Sequence, residues 1–220
     1  GQHRTTGCRS MFSAEIETEL ITKAVSGNRD ALQELLLARS GHLSRHVATK
    51  MHPSLKSDVS VEDILQETFV QAFQDISKLV GRTGPSFSAW LKAIAENRLR
   101  DTLKAKNRAK RGGCQRRLTG PAGGQSSSYV ELVDLLSADG DTPGGVAARR
   151  EAVVAVQVGI AGLPSDQRQA VRLRYLNGKS LEETAVARGR TPNAVRSLVH
   201  RAKQRLHHAL RRSSLWFDKR

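Results

Sequence analysis

Two helices and the turn between them are encoded in Ser180-Leu-Glu-Glu-Thr-Ala-Val-Ala-Arg-Gly-Arg-Thr-Pro-Asn-Ala-Val-Arg-Ser-Leu-Val-His-Arg-Ala-Lys-Gln-Arg-Leu206. Ser180, with Glu183 three residues later, matches the capping box that begins a helix. Gly189 is placed to end this helix, because glycine tolerates the left-handed conformation that follows many helices. Thr191 can cap the next helix, and Pro192 suits its first turn. The stretch therefore predicts a helix-turn-helix.

The second of these helices is cationic along its whole length. Residues 188 to 212 contain no Asp or Glu, and they contain Arg188, Arg190, Arg196, Arg201, Lys203, Arg205, Arg211 and Arg212. A short helix, a tight turn and a capped basic helix are the parts that enter the DNA major groove. A solvated surface helix would need neither both caps nor the exclusion of acids. We therefore favour DNA recognition.

Composition supports a polyanionic partner. The chain has 220 residues and a formal net charge of +15, which favours nucleic acid first and an anionic membrane second. No apolar run approaches the roughly 20 residues that span a bilayer, so we expect no membrane insertion. The start of the chain lacks the apolar stretch of a signal peptide. Cys8 and Cys114 form neither a disulfide framework nor a metal spacing, which favours a reducing cytoplasm.

Helical periodicity and glycine content divide the chain into two helical domains, and we expect an all-α fold. The expected order is a disordered extension (1–13), a helical domain (14–111), a flexible linker (112–146), a second helical domain (147–212) and a short tail (213–220). The linker is rich in glycine and serine, which favours a flexible tether. Within it, only the apolar stretch from Tyr129 to Leu136 could fold or dock.

The clearest helix of the first domain is predicted from Val61 to Leu79. Apolar residues recur along it at i, i+3 and i+4, the pattern of a core-facing helix, and Ser60 with Asp63 forms a variant of the capping box. Its opposite face is net acidic in a strongly basic chain. This face would suit a basic protein surface, although plain solvation explains it equally well.

A second helix is predicted after the turn at Gly81–Pro85. Ser86 or Ser88 can cap it, and Phe87 and Trp90 lie on its apolar stripe, where a core role is expected. From residue 98 to 117 a single acid, Asp101, faces nine cations: Arg98, Arg100, Lys104, Lys106, Arg108, Lys110, Arg111, Arg116 and Arg117. Two separate basic surfaces on a tether suggest contact with two DNA segments.

Three motifs resemble those of bacterial sigma-70-type factors. The first is Asp63-Ile-Leu-Gln-Glu-Thr-Phe69, and the second runs from Phe87 through Trp90-Leu91, Ile94-Ala95 and Asn97 to Asp101. The third begins at Leu163-Pro164 and leads through Arg168 to Ser180 at the helix-turn-helix. Two domains and one linker are similar to the small extracytoplasmic-function (ECF, group IV) subgroup. The resemblance covers about residues 14 to 212.

The resemblance implies three sets of contacts. The clamp helices of the polymerase β′ subunit would bind Asp63, Gln66, Glu67 and Gln71. The −10 element, once melted, would contact Arg82, Ser86, Ser88, Trp90, Asn97, Arg98, Arg100, Lys104 and Arg108. The −35 element would contact Thr191, Asn193, Arg196, Ser197, His200, Arg201, Lys203 and Arg205, with Lys203 and Arg205 on phosphates.

The resemblance also implies the setting in which the protein acts. The partners would be core RNA polymerase, including its β subunit, and promoter DNA, in the bacterial cytoplasm at the nucleoid. No cofactor, metal or catalytic residue is implied. The resemblance leaves open whether an anti-sigma protein binds the chain.

Two other classes of protein compete with this interpretation. A nuclease or deaminase would need clustered metal ligands, and His42, His46 and His52 lack the glutamate of an H-E-x-x-H site. A helix-turn-helix regulator that works without polymerase would share the last domain. The acidic face of the predicted 61–79 helix argues against that regulator, as does the lack of a coiled-coil seam.

Overall fold

In the computed structural model the described residues (14–79, 81, 83–111, 125–137 and 146–217) form α-helices and short helical turns, with no strand among them. The all-α prediction is confirmed. The predicted N-terminal extension, most of the predicted linker and Arg82 lie outside the described residues.

The first four helices lie within the bounds predicted for the first domain. They are α1 (Ala14–Val25), α2 (Arg29–Lys50), α3 (Val61–Asp75) and α4 (Gly84–Arg111), with 3-10 turns at Pro53–Leu55 and Ile76–Lys78. Helix α3 begins at the predicted capping box, in which Ser60 accepts from the backbone N–H of Asp63, and the Asp63 carboxylate accepts from that of Ser60. Helix α4 begins earlier than predicted and includes Pro85 in its first turn.

The remaining helices follow the predicted order. They are α5 (Gln125–Ser137), α6 (Val146–Gly162), α7 (Ser165–Val171), α8 (Leu181–Arg188) and α9 (Pro192–Phe217), and a π-helical turn at Arg172–Leu176 extends α7. Helix α5 includes the apolar stretch in the predicted linker that could fold. Helix α9 continues to Phe217, beyond the point at which we expected a tail to begin.

The first core lies among helices α1 to α4. Its largest buried side chains include Phe69 of α3 and Phe87 of α4, both fully buried. Burying an aromatic or aliphatic side chain of this size contributes about 1.5–3 kcal/mol. Trp90 packs at the edge of this core and is only partly buried, with its ring centroid 5.8 Å from that of Phe87. The expectation of a core role therefore holds fully for Phe87 and partly for Trp90.

Helix α6 belongs to both cores. Ala155, Val158 and Ala161 are buried in the first core, whereas Val156 and Ile160 are buried in the second core. In the contacts between elements, α6 packs against α2 and α3 on one side and α5 and α9 on the other. The two domains are therefore joined by a shared helix, as well as by the connecting chain.

The second core contains Tyr129 of α5, which is 1% exposed. Burial removes the phenol from water and raises the pKa of Tyr129 above its usual range. The phenol stays protonated at neutral pH, and it donates a hydrogen bond to the side-chain oxygen of Gln66 at 3.2 Å. Helix α5 is thus tied to the second domain by its apolar face and to α3 by this hydroxyl.

Candidate nucleic-acid and protein interfaces

The basic helix α9 presents one face to the core and one to solvent. Val195, Ala202 and Leu206 are buried, and they recur at the spacing of a single helix face. Of the eight residues predicted for −35 contact, seven are exposed and one is half-buried. The exposed residues are Thr191, Asn193, Arg196, Ser197, His200, Arg201 and Arg205, and the half-buried residue is Lys203. The structure brings this set together along the first four turns of α9.

The turn before α9 has the geometry that the sequence predicts. Gly189 has φ of 58° and ψ of 39°, the left-handed conformation that glycine adopts at little cost. Ser180 and Glu183 complete the capping box of α8, and Thr191 Oγ1 accepts from the backbone N–H of Ala194 at 3.3 Å. At the turn itself the N–H groups of Gly189 and Arg190 donate to the Ala185 carbonyl near the end of α8. These bonds, with the Thr191 cap, set the angle at which α9 leaves α8.

Two arginines that precede α9 form ion pairs and hydrogen bonds within the protein. Arg188 and Arg190 each donate to the Asp166 carboxylate at 2.9 Å, and Arg188 also bonds to Gln169. These bonds tie α8 and the turn to α7. The positive charge presented to a ligand is therefore concentrated further along, on the exposed face of α9.

The exposed face of α9 also contains Gln204, which sequence analysis did not single out. Its side-chain nitrogen lies 3.1 Å from Nε2 of His200, and its position four residues after His200 could have indicated the shared face. Leu198 lies on the other side of the helix and is only 9% exposed. Leu198 is part of the core side and is not placed to contact DNA.

A second cationic stripe lies on α4. Asn97, Arg100, Lys104 and Arg108 follow one another at intervals of three and four residues, and all four are exposed. Arg100 donates to the Asn97 side-chain oxygen at 2.8 Å. Trp90 lies seven residues before Asn97, and so lies on the same side of the helix. The stripe combines positive charge with a partly exposed indole, as a surface for single-stranded DNA does.

Arg98 is separated from this stripe. It is half-buried and donates to the side-chain oxygen of Gln71 on α3, while the Gln71 nitrogen donates to Asp75. Hydrogen bonds from Lys78 and Gln71 lower the pKa of the Asp75 carboxyl. Arg98, predicted to contact DNA, and Gln71, predicted to contact polymerase, therefore bond to each other and join α4 to α3.

The loop before α4 is held by two sets of contacts. Ser86 Oγ lies 2.8 Å from the Gly81 carbonyl and 2.9 Å from the Thr83 carbonyl, and accepts from the Thr83 N–H. Ser88 lines a cavity of about 140 Å³ with Arg39, His42, Leu43, Leu91 and Lys92. Both predicted serines thus lie in the first turns of α4, Ser86 bonded back to the preceding loop and Ser88 in a cavity that cationic side chains line.

A buried carboxylate fixes the start of α4. Glu17 of α1 is 5% exposed and accepts hydrogen bonds from Arg39 of α2. A Cβ atom on Gly84 would overlap the Glu17 carboxylate, so only glycine allows this approach. The carboxylate also lies where the first N–H groups of α4 carry partial positive charge. Sequence analysis missed Glu17, whose partners are distant in the chain.

The residues predicted for polymerase docking lie on α3 at different depths. Asp63 is 8% exposed and Gln66 is 2% exposed, whereas Glu67 and Gln71 are half-buried. Asp63 is used in the cap of its own helix, and Gln66 lies beneath Tyr129 of α5. In this conformation Glu67 is the acidic residue of the set that remains partly open to solvent.

The three histidines considered as metal ligands each have another partner. His46 lies 2.9 Å from Glu96, Nδ1 of His52 accepts from the Ser54 N–H, and Nδ1 of His42 lies 3.1 Å from Arg45. Within the part of the chain that the structure describes, no three His, Cys, Asp or Glu side chains cluster as metal ligands would. None of the helices described there is long and apolar enough to cross a membrane.

Comparison with known proteins gives two matches to sigma-70 family regions. Residues 36–109 match the family described as sigma-70 region 2, and residues 154–206 match sigma-70, region 4. The first match contains the α3 face and the α4 stripe, and the second contains the helix-turn-helix. The alternative of a regulator that works without polymerase gains no support from these matches.

Several curated relatives match over most of the chain. ECF RNA polymerase sigma factor SigD of Mycobacterium tuberculosis is 30% identical over 189 residues, which cover 85% of this chain and 80% of SigD. SigC of the same organism is 31% identical, with 87% and 90% covered. A solved structure of CnrH in complex with the cytosolic domain of CnrY is 22% identical and covers 89% of this chain and 97% of that chain, with a TM-score of 0.31.

Replacing Glu17 with Gln should destabilise the protein by about 1–3 kcal/mol, because Arg39 loses its charged acceptor and α4 loses a negative charge at its start. Urea unfolding at constant slope measures the change. Glu19→Gln is the matched control on the same helix, because Glu19 is exposed and pairs with Lys23 at the surface, and it should leave the midpoint unchanged. Equal midpoints for the two variants would show that the buried contact does not stabilise the fold.

Proposed function

Because this chain belongs to the ECF group of the sigma-70 family, we propose that its helices divide the work of a sigma factor among three surfaces. The chain directs RNA polymerase to promoters for transcription initiation. The observation that carries the proposal is the position of the two matched regions, which contain the cationic stripe of α4 and the exposed face of α9.

The −35 element is proposed to lie against α9. Arg196, Ser197 and His200 lie on the exposed face within the first three turns of α9, near the helix start, where side chains of a recognition helix contact base edges. Arg201, Lys203 and Arg205 lie on and beside this face and would neutralise phosphates. Thr191 and Asn193 at the first turn would complete the contact.

The −10 element is proposed to be held, once melted, by α4 and the loop before it. Arg100, Lys104 and Arg108 would follow the sugar–phosphate backbone, while Trp90 offers part of an aromatic face for stacking. Opening the duplex costs a few kcal/mol for each unstacked base, and these contacts would offset that cost. Asn97 can bond to a base, and Ser86 and Ser88 can bond to the strand where it enters.

Polymerase docking is proposed for the α3 face, with contacts from Asp63, Gln66, Glu67 and Gln71 to the clamp helices of the β′ subunit. The β subunit and promoter DNA complete the assembly, and family membership allows an anti-sigma protein as a further partner. In this proposal the chain works beside the nucleoid in the bacterial cytoplasm. It catalyses no reaction itself, because polymerase supplies the chemistry.

Run-off transcription tests the function directly. Purified core polymerase, offered a pool of promoter templates, should give transcripts of defined start only when this protein is added. The control is core polymerase alone on the same pool. If the protein raised initiation on none of the templates, the assignment as a promoter-specificity subunit would be wrong.

Glu67→Lys should weaken binding to core polymerase at least tenfold, because it reverses the charge at the acidic position of α3 that solvent can reach. Fluorescence anisotropy of labelled protein titrated with core polymerase measures the affinity. Glu15→Lys makes the same change on the exposed side of α1 and should stay within twofold of wild type. Similar losses in the two variants would indicate a general charge effect and would contradict docking through α3.

Arg196→Ala should cost about 1–3 kcal/mol on the preferred −35 sequence and much less on other DNA, if Arg196 contacts a base edge. Arg205→Ala is the matched comparison, and it should weaken binding to all sequences alike, because phosphates carry no sequence information. Mobility shifts of polymerase holoenzyme at fixed salt measure both. A uniform loss for Arg196→Ala would reassign this side chain to the phosphate backbone.

A further inference from the structure

The α3 face that is proposed to bind polymerase is partly covered by the protein itself. Helix α6 packs along α2 and α3, and Tyr129 of α5 caps Gln66, which retains only 2% of its exposure. Gln66 is one of four residues in the proposed docking set. A polymerase surface cannot reach its side chain while Tyr129 holds this position.

A second contact joins α6 to the first domain at another point. The Arg29 guanidinium at the start of α2 donates to the carbonyl of Gly162 at the end of α6, at 2.7 Å. The same guanidinium lies 5.2 Å from the ring centroid of Phe73 on α3, within the range of a cation–π interaction. Phe73 in turn lies against Gly162, where a Cβ atom would approach the ring to 3.2 Å. One exposed arginine thus bridges the two domains.

We propose that the free protein occupies a closed state, in which its own second domain masks the polymerase-docking face and core polymerase must displace it. This proposal rests on the proposed function and adds a regulatory step to it. A protein that binds its partner only when open has an apparent dissociation constant equal to the intrinsic value divided by the open fraction. Closure therefore lowers polymerase affinity without altering a single docking residue.

The residues between α6 and the first domain are of kinds that allow the two domains to separate. Helix α6 meets the first domain largely through small side chains, Ala155, Val158 and Ala161. Within the described part of the chain, the side-chain nitrogens of Gln66 and Gln157 are buried without a hydrogen-bond partner. An unpaired buried donor opposes burial. Opening exposes the Gln66 amide to water, and in the complex polymerase can supply a partner for it.

Closure leaves the DNA-binding helix accessible. Arg196, Ser197 and His200 of α9 remain exposed in the closed arrangement, as do Arg100 and Lys104 of α4. The self-contact is therefore selective, because it masks the protein partner and spares the nucleic-acid partner. Opening should change the affinity for polymerase far more than the affinity for DNA.

The test uses two variants that weaken the closed state and lie outside the proposed docking set. Arg29→Ala removes the bridge from an exposed position, and Tyr129→Phe removes only the hydroxyl that holds Gln66. Each should tighten binding of the full-length chain to core polymerase about three- to tenfold. Arg45→Ala, also at an exposed position on the same helix, removes hydrogen bonds to Gly41 and His42 within α2 and should bind like wild type.

A distance measurement on the free protein separates closure from other effects. After Cys8 and Cys114 are replaced by Ser, spin labels at Ala48→Cys on α2 and Ala187→Cys on α8 report one narrow distance if the chain is closed. Arg29→Ala should broaden and lengthen this distribution. A broad distribution in the parent protein would overturn the closed state.

The outcomes also distinguish the two proposals. If wild-type protein neither binds core polymerase nor supports transcription, the proposed function fails. If it does both, but Arg29→Ala and Tyr129→Phe bind core polymerase no more tightly than wild type, the docking role stands and self-masking is wrong. Tighter binding by Arg45→Ala to the same degree would also overturn self-masking, because the gain would reflect lost charge.

Discussion

Helix α6 packs into two hydrophobic cores at once, and the arrangement of the two domains depends on this constraint. One side of the helix offers Ala155, Val158 and Ala161 to the first domain, and another offers Val156 and Ile160 to the second. A helix that is apolar on most of its circumference is stable only when it is enclosed. Any state in which the domains separate must therefore expose the first of these sides or cover it with a partner.

Electrostatics separate the surfaces that packing brings together. The chain carries a large positive charge, yet Arg188 and Arg190 share an ion pair with Asp166, and Arg98 is turned toward Gln71. Two groups of exposed cations form stripes, one on α4 and one on α9. A polyanion would therefore bind at two surfaces of concentrated positive charge, whereas a basic protein would bind at the acidic face of α3.

Features set by short-range contacts could be predicted from the sequence. The capping boxes at Ser60 and Ser180 and the left-handed Gly189 each depend on residues within four positions of one another. The exposed face of α9 followed from helical periodicity, and the two domains followed from composition. Such features need no knowledge of how the helices pack.

Features that depend on distant residues could not be predicted in this way. Periodicity placed Gln66 on the outer face of α3, and its burial depends on Tyr129, which is 63 residues away. Helix α4 begins at Gly84, at a position where the Glu17 carboxylate of α1 allows only glycine. Arg98 belongs to a basic run in the sequence, but its contact with α3 separates it from the exposed stripe. In each case tertiary packing decided among roles that the local pattern allowed.

The left-handed turn at Gly189 has a consequence for how promoter preference can change. Because capping bonds on both sides of the turn hold α8 and α9 at a set angle, the recognition helix loses little conformational freedom when it meets the groove. Preorganisation of this kind leaves few ways to adapt to a different base sequence by tilting the helix. New preferences would have to arise by exchange of side chains on α9, one contact at a time.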